Sequence, residues 1–155
     1  MKDDLSYYYG NAENKLNSKG QVAIPARFRT AQVDDEASRS YVIIPGERQC
    51  LYMYTHRQFA TIKDNAKRVA EESGDDGFYR SFMAEALPVD IDTQGRFVLP
   101  PAFMKMAGIM GPSVLFIGID ERIELWEPGV YAATKSDEKE YREKRRSNAR
   151  RIFGI

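Results

Sequence analysis

A twelve-residue motif occurs twice in this chain, and the repetition limits the folds that the sequence can adopt. The first copy is NSKGQVAIPARF, residues 17–28, and the second is DTQGRFVLPPAF, residues 92–103. Glycine, proline and phenylalanine occupy matching positions in the two copies, which are 75 residues apart. Since the chain has 155 residues, two copies of one supersecondary unit would account for much of its length.

Each copy of the motif predicts a turn, a short strand and the start of a helix. Asn17 and Asp92 open four-residue turns that end at glycine, in the pattern of a type I turn or its bulged hairpin variant. Gly20 and Gly95 are these closing glycines. The strands QVAI and RFVL then stop at prolines, which are well tolerated where a helix begins. We therefore predict short helices at PARFR and at PPAFMKMAG, the second capped by Gly108.

The similarity between the halves continues beyond the motif. Residues 41–59 align with residues 114–131, so that Tyr54 matches Trp126 and Phe59 matches Tyr131. Each half therefore predicts a hairpin, a short helix, a second hairpin and a further helix start. A half of this size buries only a modest core by itself, so the two halves should interlock.

A helical connection is predicted between the halves. Residues 56–73 place Phe59, Ile62, Ala66 and Val69 at spacings of three and four, which is typical of a helix with one apolar face. SGDDG interrupts this pattern, and FYRSFMAEA then predicts a second short helix.

The chain resembles the MraZ family over residues 7–131. The resemblance rests on the segments KGQVAIPARFR and DTQGRFVLPPAF, the FYRSFMAEA helix between them and the later ELW strand. The resemblance implies an α+β fold of two interlocked AbrB-like swapped-hairpin halves around a small barrel-like core, assembled as a homo-oligomeric ring. It also implies a DNA-binding transcriptional regulator of the division and cell-wall gene cluster, whose partner is double-stranded DNA with promoter repeats.

Four segments follow from this interpretation. They are a first AbrB-like half at 7–60, a helical connection at 61–87, a second half at 88–131 and a basic C-terminal tail at 132–155. From Lys135 to Arg151 the tail holds eight bases and four acids, which favours an exposed helix or a disordered arm. It is either a solvated segment or an accessory arm that contacts DNA phosphates.

The family's turn motif, Asp, two variable residues, Gly and Arg, is complete only in the second half, at Asp92, Gly95 and Arg96. In the first half Asn17 and Gln21 replace the charged pair. Both charges are missing together, as expected if the two side chains pair across the hairpin.

Local charge favours the first half as a DNA-binding surface. Residues 14–33 include four bases and no acid, whereas residues 90–105 include two of each. An unopposed basic run on a hairpin suits the major groove or its phosphate edges, although it also describes an ordinary solvated face. The candidate DNA-binding residues are Lys15, Lys19, Gln21, Arg27, Arg29 and Arg96.

Composition argues against several other classes of protein. The 23 basic and 23 acidic residues balance, so the chain as a whole is not basic. With His56 as its one histidine and Cys50 as its one cysteine, the chain offers little for a zinc site or a histidine-based triad, and we expect no enzyme, metal or cofactor. The acids at residues 34–36 and 75–76 fit solvated loops better than a catalytic pair. No apolar stretch reaches membrane-spanning length, which predicts a cytoplasmic protein without membrane contact. Nucleoid association is what the resemblance to a DNA-binding family implies.

Two alternatives remain open from the sequence. One is an AbrB-like antitoxin-type DNA binder that also binds a protein partner. The other is a structural ring whose basic hairpins do not bind DNA.

Overall fold

Antiparallel strands and short helices form the described parts of the computed structural model, which are residues 8–29, 40–135 and 137–155. The strands are β1 (Asn11–Lys15), β2 (Gln21–Ala23), β3 (Ser40–Pro45), β4 (Leu51–Thr55), β5 (Leu87–Asp90), β6 (Arg96–Val98), β7 (Ser113–Ile119) and β8 (Arg122–Trp126). The helices are α1 (His56–Ser73), α2 (Asp76–Ala84), α3 (Pro101–Ala107), α4 (Pro128–Thr134), α5 (Glu138–Ser147) and α6 (Ala149–Phe153). A short 3₁₀ helix covers Ala26–Phe28.

The strands form two separate sheets, so the prediction of a barrel-like core is wrong. Six strands lie in the order β1-β7-β8-β4-β3-β5, and β2 pairs with β6 in a second, two-stranded sheet. The two motif strands have three residues each. They pair with one another and do not connect β1 with β5, the two edge strands of the larger sheet. The larger sheet therefore stays open, while the mixed α+β class is as predicted.

The halves exchange their first strands. β1 of the first half pairs with β7 of the second, and β5 of the second half pairs with β3 of the first. The register has an internal pseudo-two-fold symmetry: Val22 lies opposite Phe97, its equivalent in the other motif copy, and Tyr52 lies opposite Glu124. Neither half has a complete sheet without a strand from the other.

The main hydrophobic core lies between the small sheet and the large one. In the motif strands alternate residues point inward, so that Val22, Ile24, Phe97 and Leu99 are all buried. Phe28, which follows the first motif strand, packs edge-to-face on Tyr8 with ring centroids 6.0 Å apart. The apolar positions shared by the two motif copies thus fill one common core.

The helix α1 covers the range predicted from the sequence. Thr55 and Gln58 form a reciprocal capping box at its start, and Gly74 ends it in the left-handed conformation with a φ of 64°. Phe59 and Ala66 are buried as expected, but Val69 is 52 % exposed and Ala70 is buried in its place. A period of about 3.6 residues explains this, because three turns beyond Phe59 lead to position 70.

The other predicted helices are present with small differences in their bounds. α2 begins two residues earlier than FYRSFMAEA suggests, because the Asp75 side chain accepts a hydrogen bond from the Phe78 N–H at 3.1 Å and caps its start. Gly108 caps α3 with a φ of 68°, as predicted. The first motif copy yields a single 3₁₀ turn where PARFR predicted a helix start. In the tail, α5 and α6 are exposed helices.

Candidate nucleic-acid interface

The first motif turn is held by hydrogen bonds to one side-chain oxygen. Asn17 Oδ1 accepts from the backbone N–H groups of Lys19 and Gln21, each at 2.9 Å. The Gly20 N–H donates to the Asn17 carbonyl at 3.0 Å, and Gly20 has a φ of 79°. Asn17 Nδ2 also donates to Gln21 Oε1 at 3.0 Å.

The second turn repeats this geometry with charged side chains. Asp92 Oδ1 accepts from the backbone N–H groups of Gln94 and Arg96, each at 2.9 Å. Arg96 Nε donates to Asp92 Oδ2 at 2.8 Å, in the position of the neutral Asn17–Gln21 bond. The backbone and side-chain donors of Arg96 hold the pKa of the Asp92 carboxyl below its ordinary value. The two turns therefore share one scaffold and differ in charge.

Three of the candidate DNA-binding residues lie at or beside the first turn. Lys15 ends β1 and Lys19 lies within the turn, and both are exposed. Gln21 is partly buried, and its carbonyl oxygen is already bonded to Asn17. The lysines are therefore free to approach a phosphate backbone, whereas Gln21 would first have to exchange its partner.

The two arginines that follow β2 lie away from the first turn. Arg27 Nη2 donates to the backbone carbonyl of Asn11. The Arg29 side chain lies over Gly95 in the second turn, where a Cβ on the glycine would overlap its guanidinium. Both arginines line an open groove of about 450 Å³ between β1 and β2. The basic run of the first half is therefore distributed over two places.

Arg29 brings a first-half charge to the second turn, where Arg96 lies. The buried Nε of Arg29 has no hydrogen-bond partner within the described parts of the chain. Its position in the other motif copy is taken by Met104, which lines a cavity with Gly20. The sequence analysis did not note that an arginine in the first half matches a methionine in the second. The two motif copies are 75 residues apart, and the same offset aligns Arg29 with Met104, one residue beyond each copy.

The remaining sequence candidates have structural surroundings. His56 Nε2 lies 2.8 Å from Ser40 Oγ at the start of α1, and Cys50 is buried, which raises the pKa of its thiol to about 11. Tyr8 belongs to the core, while Tyr9 is exposed. Tyr7 and the acids at 34–36 lie outside the described residues. In the described ranges no group of His, Cys, Asp and Glu is arranged to hold a metal ion.

Comparisons with known proteins identify the family. A relative from Caldanaerobacter subterraneus subsp. tengcongensis is 32% identical over 123 residues, which cover 79% of this chain and 82% of the relative. One from Gluconacetobacter diazotrophicus is 32% identical over 130 residues, covering 81% and 82%. The chain belongs to the MraZ family. Both relatives are named "Transcriptional regulator MraZ", the name of a regulator and not of an enzyme, in agreement with the sequence-based expectation.

A family model described as "MraZ protein, putative antitoxin-like" matches residues 82–151. The match includes the second motif copy and most of the tail, and it extends beyond residue 131, where the resemblance noted from the sequence ended. A further relative, from Coxiella burnetii (strain Dugway 5J108-111), is 30% identical over 79% of this chain and 80% of its own length. Among the described residues of the present chain, no helix is long and apolar enough to cross a membrane.

Proposed function

We propose that this chain is a sequence-specific DNA-binding transcription regulator that contacts double-stranded DNA with the two turns of its repeated motif. The names of its relatives support regulation of transcription. The observation that carries the DNA-binding proposal is the pairing of β2 with β6. This pairing makes a two-stranded ribbon with a turn at each end, since each turn precedes its strand and the strands are antiparallel.

The ribbon has dimensions and charges that suit duplex DNA. The Ile24 N–H donates to the Gly95 carbonyl and the Leu99 N–H to the Gly20 carbonyl, so the two glycines lie four residues apart along the ribbon, about 13 Å. The major groove of DNA admits a two-stranded ribbon, so both turns could lie in or beside it. Lys15 and Lys19 lie at one end, and Arg29 and Arg96 lie at the other.

The test is binding of the full chain to duplex DNA from immediately upstream of its own gene cluster, the target that the family resemblance suggests. We expect retardation of this fragment in a gel, with weaker retardation of a shuffled fragment. Affinity should fall steeply with salt, because each neutralised phosphate contributes about −0.9 to the slope of log K against log salt. A slope near zero, or equal binding to both fragments, would contradict sequence-specific binding.

We further propose that the chain forms a ring of identical subunits and is nucleoid-associated. The pseudo-symmetric halves present similar edges for contacts between subunits, and several turns that engage tandem repeats would gain avidity. Light scattering should give a mass well above 17.7 kDa. A monomer at micromolar concentration would contradict the ring, and an oligomer that leaves DNA unretarded would indicate a purely structural ring.

A second candidate function is that of an antitoxin-type DNA binder with a protein partner, and the antitoxin-like description of the matching family model favours it. The test is co-expression with the product of the adjacent gene. An antitoxin should co-elute with that product in size-exclusion chromatography, whereas a regulator without such a partner should elute unchanged.

A further inference from the structure

An acidic groove lies at the junction of α1 and α2, away from the motif turns. We define this acidic groove by its lining residues, Lys67, Ala70, Glu71, Gly74, Asp75, Asp76 and Tyr79. Its volume is about 260 Å³, which is below the range of about 300–1,000 Å³ typical of small-molecule sites. Such a space suits a single apolar side chain from a partner.

The rim of the acidic groove combines apolar and negative groups. Its lining includes three acids, Glu71, Asp75 and Asp76, and one base, Lys67. Phe78 and Val69, which neighbour the lining residues Tyr79 and Ala70 in the sequence, are 43 % and 52 % exposed. Asp75 is engaged in capping α2, and Asp76 lies 3.6 Å from Arg80. This leaves Glu71 in the lining, with the exposed Glu72 next to it on the last turn of α1, to meet a cationic partner.

The C-terminal end of the same chain has the complementary composition. Within the C-terminal tail, residues 144–155 contain five bases and no acid, and we reserve the name basic tail for this part of it. Ile152 and Phe153 are 59 % and 50 % exposed on α6, and the Arg145 guanidinium lies 5.1 Å from the centroid of the Phe153 ring. The basic tail thus presents aromatic and aliphatic side chains surrounded by positive charge.

We propose that the basic tail of one copy of this chain binds the acidic groove of a second copy. Phe153 or Ile152 would fill the groove, and Arg150 and Arg151 would face Glu71 and Glu72. The contact joins different surfaces of the two copies, so its repetition generates a closed ring or an open filament. It deepens the oligomer proposed above by naming the segments in contact, and it does not depend on DNA binding.

Charge reversal tests this contact in the full-length chain. The tail variant carries Arg150→Glu and Arg151→Glu, and the groove variant carries Glu71→Lys and Glu72→Lys. Each should weaken self-association at least about tenfold in sedimentation or light scattering, because like charges would then meet across the contact. The matched control, Glu47→Lys with Glu85→Lys, reverses two exposed acids outside the groove and should leave the mass unchanged.

Mixing the two variants gives the decisive result. The negative tail of one variant fits the positive groove of the other, and the positive tail of the groove variant fits the negative groove of the tail variant. An equimolar mixture should therefore regain the wild-type mass, which also shows that both variants fold. Restoration only when all four substitutions are in one chain would indicate docking within a chain and would overturn the proposal.

The remaining outcomes separate this contact from the other proposals. Variants that assemble like wild type would overturn the contact while leaving an oligomer and DNA binding in place. A tail variant that keeps its mass but loses affinity equally for specific and random DNA would show that the basic tail is a phosphate-binding arm. A tail variant that keeps its mass but no longer binds vesicles of anionic phospholipid would assign the basic tail to a membrane surface instead.

Discussion

The two turns of the repeated motif have the same backbone but different electrostatics. Asn17 and Asp92 each accept two backbone hydrogen bonds through one oxygen, an atom that amide and carboxylate side chains both possess. The charge of Asp92 is therefore not required to build the turn. The comparison shows that one scaffold can display an exposed lysine at one end of the ribbon and two arginines at the other.

Phe97 and Val22 face each other at the pseudo-two-fold axis, and truncating them should have the largest effects. Phe97→Ala should lower the free energy of unfolding by about 3–5 kcal/mol and Val22→Ala by about 2 kcal/mol, because the phenyl ring leaves the larger cavity. Denaturant titration measures both values. Val98→Ala, at a neighbouring 52 % exposed position, is the control and should stay within about 0.5 kcal/mol. Equal losses of unfolding free energy in the two variants would show that Phe97 contributes no more to the core than Val22 does.

Gly20→Ala and Gly95→Ala should each cost about 1–2 kcal/mol, since φ is 79° and 80° at these positions. Their consequences for DNA should differ. A Cβ at position 95 displaces the Arg29 guanidinium, whereas one at position 20 lies 3.2 Å from the Leu99 carbonyl oxygen. We expect Gly95→Ala to lose more DNA affinity when both variants are measured well below their unfolding temperatures. A greater loss for Gly20→Ala would place the main contact at the first turn.

Lys19→Gln gives the first turn the neutral residue found at the matching position of the second turn, Gln94. The slope of log K against log salt should become shallower by about 0.9, the contribution of one phosphate contact. Gln94→Lys should steepen it by a similar amount. Lys63→Gln on the exposed surface of α1 is the matched control and should leave the slope unchanged. An unchanged slope in Lys19→Gln would remove the first turn from the interface.

The smallest effect concerns pH. The lowered pKa of Asp92 means that the unfolded chain binds its proton more readily, so the Asp92–Arg96 pair stabilises the fold above the ordinary value of 3.8. This contribution is lost as pH falls from 3.8 through the lower folded pKa. The double variant Asp92→Asn with Arg96→Gln copies the first turn and should lack this pH dependence. Thermal melts over the acid range compare it with wild type, and parallel curves would contradict the assignment.

The local elements of this fold could be predicted from the sequence, because their signals lie within a few residues. Helix α1 is an example. Its capping residues Thr55 and Gln58, its apolar period and the Gly74 that follows its last residue all lie within the helix or next to its ends. The pairing of β2 with β6 could not be predicted in this way, since alternating apolar residues show that a strand has one buried face but do not identify its partner. The barrel-like core was implied by the family resemblance, and the separate β2–β6 sheet contradicts it.

The candidate site was predictable in its parts but not in its arrangement. The Asn17–Gln21 and Asp92–Arg96 pairs follow from replacements that occur together within five residues. Arg29 could not be placed in the same way. Its neighbours in the sequence assign it to the first turn, whereas the antiparallel ribbon carries its side chain to Gly95.

The exchange of first strands also affects how the chain is made. Ser113 Oγ in β7 donates to the Glu13 carboxylate in β1, 100 positions earlier in the sequence. At about 5–20 residues per second, a ribosome needs roughly 5–20 s to synthesise the intervening residues. During this interval β1 has no β7 in its own chain to pair with. The order of synthesis therefore leaves the larger sheet incomplete at its β1 edge until the second half has been made.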